Sequence, residues 1–114
     1  MTEEQEALCE RIRAALATEP VTREVSMFGG RAFMVREKML VSAGKDGSLL
    51  VRVPAERHAE LLGRRGASQA EMGSGRDMGP GWIEVSAATL NEGVADPLAQ
   101  WLAVALEHNN ATSG

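Results

Sequence analysis

Residues 25–53 read VSMFGGRAFMVREKMLVSAGKDGSLLVRV, and this stretch decides the fold. Apolar residues recur at every second position: Val25 and Met27, Ala32 and Met34, then Met39, Val41 and Ala43, then Leu49, Val51 and Val53. That is strand spacing, because successive side chains of an extended chain point to opposite faces. The runs are separated by Gly29-Gly30, Glu37-Lys38 and Gly44-Lys45-Asp46-Gly47. Connections this short join antiparallel neighbours, since a parallel crossover needs roughly a dozen residues or more. The stretch therefore reads as a four-stranded meander over about residues 22–53. Its weakest connection is Glu37-Lys38, where neither residue favours positive φ.

Upstream, Leu8, Ile12, Ala15 and Leu16 fall at helical spacing, with Cys9 on the shoulder of the stripe. Thr2 followed by acids suits the positive end of that helix, and Pro20 ends it. Downstream, Pro54 opens a short helix with Ala55, His58, Leu61 and Leu62 on one face and Gly63 closing it. A glycine-rich connection follows over residues 64–81, with a short strand expected over residues 69–72. Trp82-Ile83-Glu84-Val85-Ser86 then alternates as a further strand. Asp96-Pro97 is the best helix start in the chain, leading into Leu98, Trp101, Leu102, Ala105 and Leu106. The polar residues 108–114 are expected to be a disordered tail behind a single domain of residues 1–107. The fold class is α+β: a two-layer α/β sandwich, its antiparallel meander sheet flanked by N-terminal, middle and C-terminal helices.

The chain has 114 residues and a formal net charge of −4. One cysteine excludes an intramolecular disulfide framework, and no apolar run is long enough for a transmembrane helix. With the acidic start Glu3-Glu4-Gln5-Glu6, unlike a secretory signal, these features point to a cytoplasmic domain without membrane contact. The charge is unevenly spread: residues 1–24 carry −3, residues 25–83 carry +3 and residues 84–114 carry −4.

The motifs of chemistry are sparse. One Cys and two His, His58 and His108, do not make a zinc set, so no metal is expected. His58 reads as a core-edge side chain. Cys9, beside Glu10, lacks the basic setting of a reactive thiol. The glycines of residues 73–79 lead into a strand rather than a helix, so they do not form a dinucleotide cradle, and no cofactor is expected. No nucleophile motif is assembled, and the chain is expected not to be an enzyme. Nine bases in residues 25–83 could form an anion-attracting field, but a pI of about 5.2 and four aromatics argue against direct nucleic-acid binding.

Val25-Ser26-Met27-Phe28-Gly29-Gly30 after a leading helix, then Phe33, then a strand opened by Lys38-Met39, resembles the N-terminal domain of the TfoX/Sxy family. Gly75-Arg76-Asp77-Met78-Gly79-Pro80-Gly81-Trp82-Ile83-Glu84-Val85 is similar to that family's second motif, an Arg-x-Met before a Trp-bearing strand. The Trp101 helix also fits, so the resemblance spans about residues 3–107. It implies a bacterial protein related to regulators of natural competence, which act with the cyclic-AMP receptor protein at promoters. A stand-alone N-terminal module is expected, without the second, helical domain of longer members. The resemblance implies no catalytic residues.

The leading expectation is thus a small non-enzymatic regulatory module working through a protein partner or as a homodimer. Its candidate patch is Met27, Phe28, Gly29, Gly30, Arg31, Arg36, Arg76, Met78 and Trp82. Met27, Phe28, Met78 and Trp82 also suit a core. The alternative is a binding module for a small anionic ligand or nucleic acid, using Arg31, Arg36 and Arg76; the third is an enzyme with an unrecognised site.

Overall fold

Helix α1 (Glu3–Ala15) begins where a side chain meets its unpaired amides: the Thr2 hydroxyl accepts from the Gln5 N–H at 3.1 Å. Glu3, Glu4 and Glu6 lie in that first turn, at the positive end of the helix dipole. This is the first element of a computed structural model that describes residues 2–19, 22–27, 30–36, 38–71, 78–92 and 96–113. Leu8, Cys9, Ile12 and Leu16 are buried, as their spacing suggests, whereas Ala15 is exposed and Gln5 takes a buried place. Gln5 can do so because its side-chain amide donates to the Ala43 carbonyl at 2.9 Å. The Thr2 hydroxyl also donates to the Lys45 carbonyl, so the start of α1 is tied twice to one hairpin.

The meander forms as expected: β1 (Thr22–Met27), β2 (Gly30–Val35), β3 (Lys38–Ala43) and β4 (Leu49–Arg52). With β5 (Ala67–Gln69) and β6 (Trp82–Val85) they make one six-stranded sheet in the order β1-β2-β3-β4-β6-β5. Every neighbouring pair is antiparallel. The short strand expected over residues 69–72 lies earlier, at β5, and Met72 is outside the described residues. The second turn also shifts by one residue. Lys38 belongs to β3 and pairs with Val35, and Arg36, just after β2, takes a positive φ of 54° of the kind tight hairpin turns use.

The faces differ from the simple alternation in a telling way. In β2 it is Phe33 and Val35 that enter the core, while Ala32 and Met34 point to the other side. In β3, Phe33 pairs with Val41 but Met34 pairs with Met39, leaving Leu40 as an extra residue. This bulge turns Leu40 and Val41 inward together, at 1% and 0% exposure. The core continues through Leu49, Val51, Ile83 and Val85.

The helices pack on this inner face. A 3-10 turn (Ala55–Arg57) runs into α2 (His58–Leu62), which contributes Leu61. A short helix that periodicity does not reveal, α3 (Ala87–Leu90), is capped by the Ser86 hydroxyl accepting from the Thr89 N–H at 3.3 Å. Helix α4 (Pro97–Ser113) starts at Asp96, whose carboxylate accepts from the Ala99 N–H at 3.3 Å, and buries Leu98, Trp101, Leu102 and Ala105. Of the polar residues 108–114 expected as a disordered tail, those through Ser113 continue α4. Asn109 is 4% exposed, its amide donating to the Val35 carbonyl at 2.9 Å and its oxygen accepting from Arg36 at 3.3 Å. Tertiary hydrogen bonds thus hold a segment whose local composition is poorly helical. Among the described residues, no helix is long and apolar enough to cross a membrane.

Candidate functional site

The helical core residues gather on one face, and among the described residues no helix covers the other face of the sheet. Strand register puts Val25, Ala32, Ser42, Leu50, Glu84 and Ser68 in one row across it. Met34 and Trp82 stand in the neighbouring row. None of Val25, Ala32, Met34, Leu50 or Trp82 joins the helix-bearing core. Val25, Met34, Leu50 and Trp82 are half-buried, and Ala32 lies flat beneath its neighbours at 0% exposure. An antiparallel sheet with one solvated face normally carries polar residues there. Here, among the described residues, apolar side chains stand on both sides of Ser42 in the middle of that face. Trp82 therefore sits outside the core, with the Arg52 guanidinium 5.8 Å from its ring centre.

Glu84 stands on the same face. Burial raises its carboxyl above the ordinary value, and the negative charges of Asp46 and Glu71 add to the effect. On the inner side, burial raises the Cys9 thiol, which suits a packed residue rather than a nucleophile.

The described residues of the expected patch are spread over the sheet. Gly30 and Arg31 begin β2, and Arg36 follows its end, so Arg31 and Arg36 are about 17 Å apart along the strand. Trp82 shares a sheet end with Arg36 but lies three strands away, across roughly 14 Å of sheet. Arg31 lies 3.8 Å from Glu24, which Arg13 grips with two hydrogen bonds of 2.6 and 2.7 Å. Arg36 faces Glu19 at 3.9 Å. Phe28, Gly29 and Arg76 lie outside the described residues, as does the side chain of Met27.

Met78 and Trp82 are positioned by a polar clamp. The Gly81 N–H donates to His58 Nδ1 at 2.9 Å, so the ring carries its proton on Nε2 and donates it to Gln69 Oε1 at 2.7 Å. The Gln69 amide then donates to the Gly79 carbonyl at 3.1 Å, and the Met78 N–H to the Ala70 carbonyl at 2.9 Å. His58, 8% exposed, is a structural residue of this clamp.

Two concave places stand out among the described residues. A groove of about 310 Å³ lies between α1, the β3–β4 turn and α3, lined by Glu3, Glu4 and Arg11 among others. Arg11 donates to the Leu90 carbonyl at 2.9 Å and Asn91 at 3.2 Å, so it ties α1 to the end of α3. The second is a narrow slot where α4 crosses the ends of β3 and β4, lined by Lys38, Met39, Arg52, Ala105, His108 and Asn109. Sequence reasoning missed it: Lys38 was expected in a turn and His108 in a tail. The signal available was the pairing of β3 and β4, which brings the start of one beside the end of the other.

Among the described residues, no group of three or more His, Cys, Asp and Glu could hold a metal ion. No curated protein and no solved structure matches the chain. A family model described as the TfoX N-terminal domain matches residues 14–109, from the last two residues of α1 through the buried Asn109.

Proposed function

The chain belongs to the TfoX N-terminal domain family, and on that premise we propose that it is a non-enzymatic regulatory module that works by docking a protein on its open sheet face. One observation carries the reading: the apolar band of Val25, Ala32, Met34, Leu50 and Trp82 on a face that no described helix covers. Apolar side chains gathered on such a face mark contact sites, and a tryptophan flanked by an arginine is a common energetic centre of one. Arg23, Arg52 and Glu84 provide a charged surround. The family's association with competence regulators fits a module whose effect is exerted through another protein.

Leu50→Glu tests this, because it places a charge in the middle of the band while Leu49 and Val51 keep the core. The wild-type and variant proteins would be compared by light scattering and by capture from the native cell, with circular dichroism confirming the fold. The expected result is self-association, or one captured partner, present with the wild type and lost with the variant. A monomer that captures the same proteins with and without the substitution sinks the reading.

A further inference from the structure

Resting on the docking reading above, we propose that the occupant of the open sheet face is a second copy of this chain, packed face to face about a two-fold axis that runs across the strands. Strand register fixes two adjacent rows on that face. In the first, Ala32, Ser42, Leu50 and Glu84 follow one another across β2, β3, β4 and β6. In the second, Met34, Met39, Arg52 and Trp82 occupy the same four strands in the same order. An axis between the rows lays the first row of each copy on the second row of the other, strand on strand. Ala32 and Ser42, the low points of the face, then meet the long side chains of Met34 and Met39 of the second copy.

Charge complementarity singles out a second copy as the occupant. The face carries both signs, Arg52 on β4 and Glu84 on β6, one row apart. The Arg52 guanidinium lies 5.8 Å from the Trp82 ring centre, which holds it on the open side beside β6. The axis sets Glu84 of one copy over Trp82 of the other, with that copy's Arg52 one strand, about 4.8 Å, to the side. By symmetry the contact occurs twice, so two Arg52–Glu84 pairs flank the apolar middle. Among the described residues, no oppositely charged side chain lies within ion-pair distance of either group. Burial and the negative charges of Asp46 and Glu71 raise the Glu84 carboxyl, and a guanidinium from the second copy opposes both effects. Strand spacing and length give a six-stranded face of roughly 400–600 Å² per copy. The total of about 800–1,200 Å² is at the low end for specific contacts, which makes the pair a reversible one.

Sedimentation and light scattering of the full chain, from micromolar to millimolar concentration near physiological salt, test the arrangement. The mass is expected to rise from one copy to two and no further, because a two-fold contact closes on itself. Arg52→Glu and Glu84→Arg should each weaken the pair by at least roughly tenfold. Combining them should restore it, because the exchange recreates both ion pairs with their signs reversed. Arg65→Gln, on an 82% exposed side chain, should change nothing. Should a variant fail to fold, the two tryptophans of the wild-type protein give a separate readout. The Trp82 indole N–H signal should move with concentration in NMR spectra, while that of Trp101, 3% exposed in the core, stays in place. A chain that stays single with an unmoved Trp82 signal overturns the proposal. So does a dimer indifferent to both single substitutions, or one that the combined exchange fails to restore. If the chain stays single yet captures another protein, and Leu50→Glu abolishes that capture, the docking reading survives and the second copy is ruled out. A dimer that Leu50→Glu leaves intact sinks both.

Discussion

A methyl group on Gly66 would lie 2.0 Å from the hydroxyl oxygen of Thr89 and 2.6 Å from its Cβ, in a backbone held at φ +79°. Two penalties coincide at this residue, one of conformation and one of space. Thr89 cannot yield easily, being β-branched, buried and bonded to the Ser86 hydroxyl at 2.9 Å. Gly66→Ala is therefore expected to destabilise the protein by about 3 kcal/mol, measured by denaturant unfolding. Adding Thr89→Ala should rescue little of it, because alanine keeps the offending Cβ. A full rescue would show that this approach is not what confines residue 66. Nothing in the sequence near Gly66 announces the constraint, since it comes from a helix 21 positions downstream. The cap of that helix, Ser86 with Thr89, was legible only as part of a strand end.

Among the elements, strands were the most legible because period-two spacing survives in a short run, and all four strands of the meander lie where the alternation placed them. Which side each faces was not. Ala32, Phe33, Met34 and Val35 are all apolar, so the pattern alone cannot choose between two faces that are both uncharged. The turn was misplaced because arginine is not a residue one assigns to positive φ; here the Arg36 guanidinium reaches Asn109 and Glu19. The end of α4 was misread for a related reason. Asn109-Asn110 and Thr112 have weak helix propensity, and tertiary hydrogen bonds to Asn109 from outside the helix stabilise the helical state. Asn109→Ala should cost about 1–3 kcal/mol in chemical denaturation, because it leaves a buried carbonyl without that donor. Its amide protons over the last turns of α4 should also exchange faster. Unchanged stability and exchange would mean that the helix end holds without this bond.

Across the whole molecule, helices on one face and an open sheet on the other make pH act differently on the two sides. Between α1 and β1, hydrogen bonding to Arg13 holds the Glu24 carboxyl below its ordinary value. That contribution to stability is complete above the carboxyl's unfolded value and fades as pH falls through the folded one. On the open face, burial raises Glu84, so its ionised form opposes folding and stability is gained as pH falls through its folded value. Glu84→Gln is therefore expected to raise the thermal midpoint at neutral pH, with the gain vanishing on acidification. Glu24→Gln should lower it at neutral pH, with the loss vanishing likewise. Thermal scans from acid to neutral pH check both signs, and identical shifts at every pH would rule the titrations out as their cause. The two-layer architecture was readable from the order of elements. The slot was not, because Lys38, Arg52 and His108 are joined by strand pairing and a helix crossing rather than by spacing in the chain.

The extra residue in β3 has a consequence for how this family can drift in length. Losing one residue from a strand normally exchanges its inner and outer side chains, which ruins a sheet. Removing Leu40 would do the opposite: Lys38, Met39, Val41, Ser42 and Ala43 would alternate in regular order, each still on its present side. The loss would be one leucine's worth of burial rather than the sheet's register. Position 40 is thus the place in the meander where single-residue deletions are survivable, and homologues one residue shorter between the second and third strands are expected to lack a counterpart of Leu40.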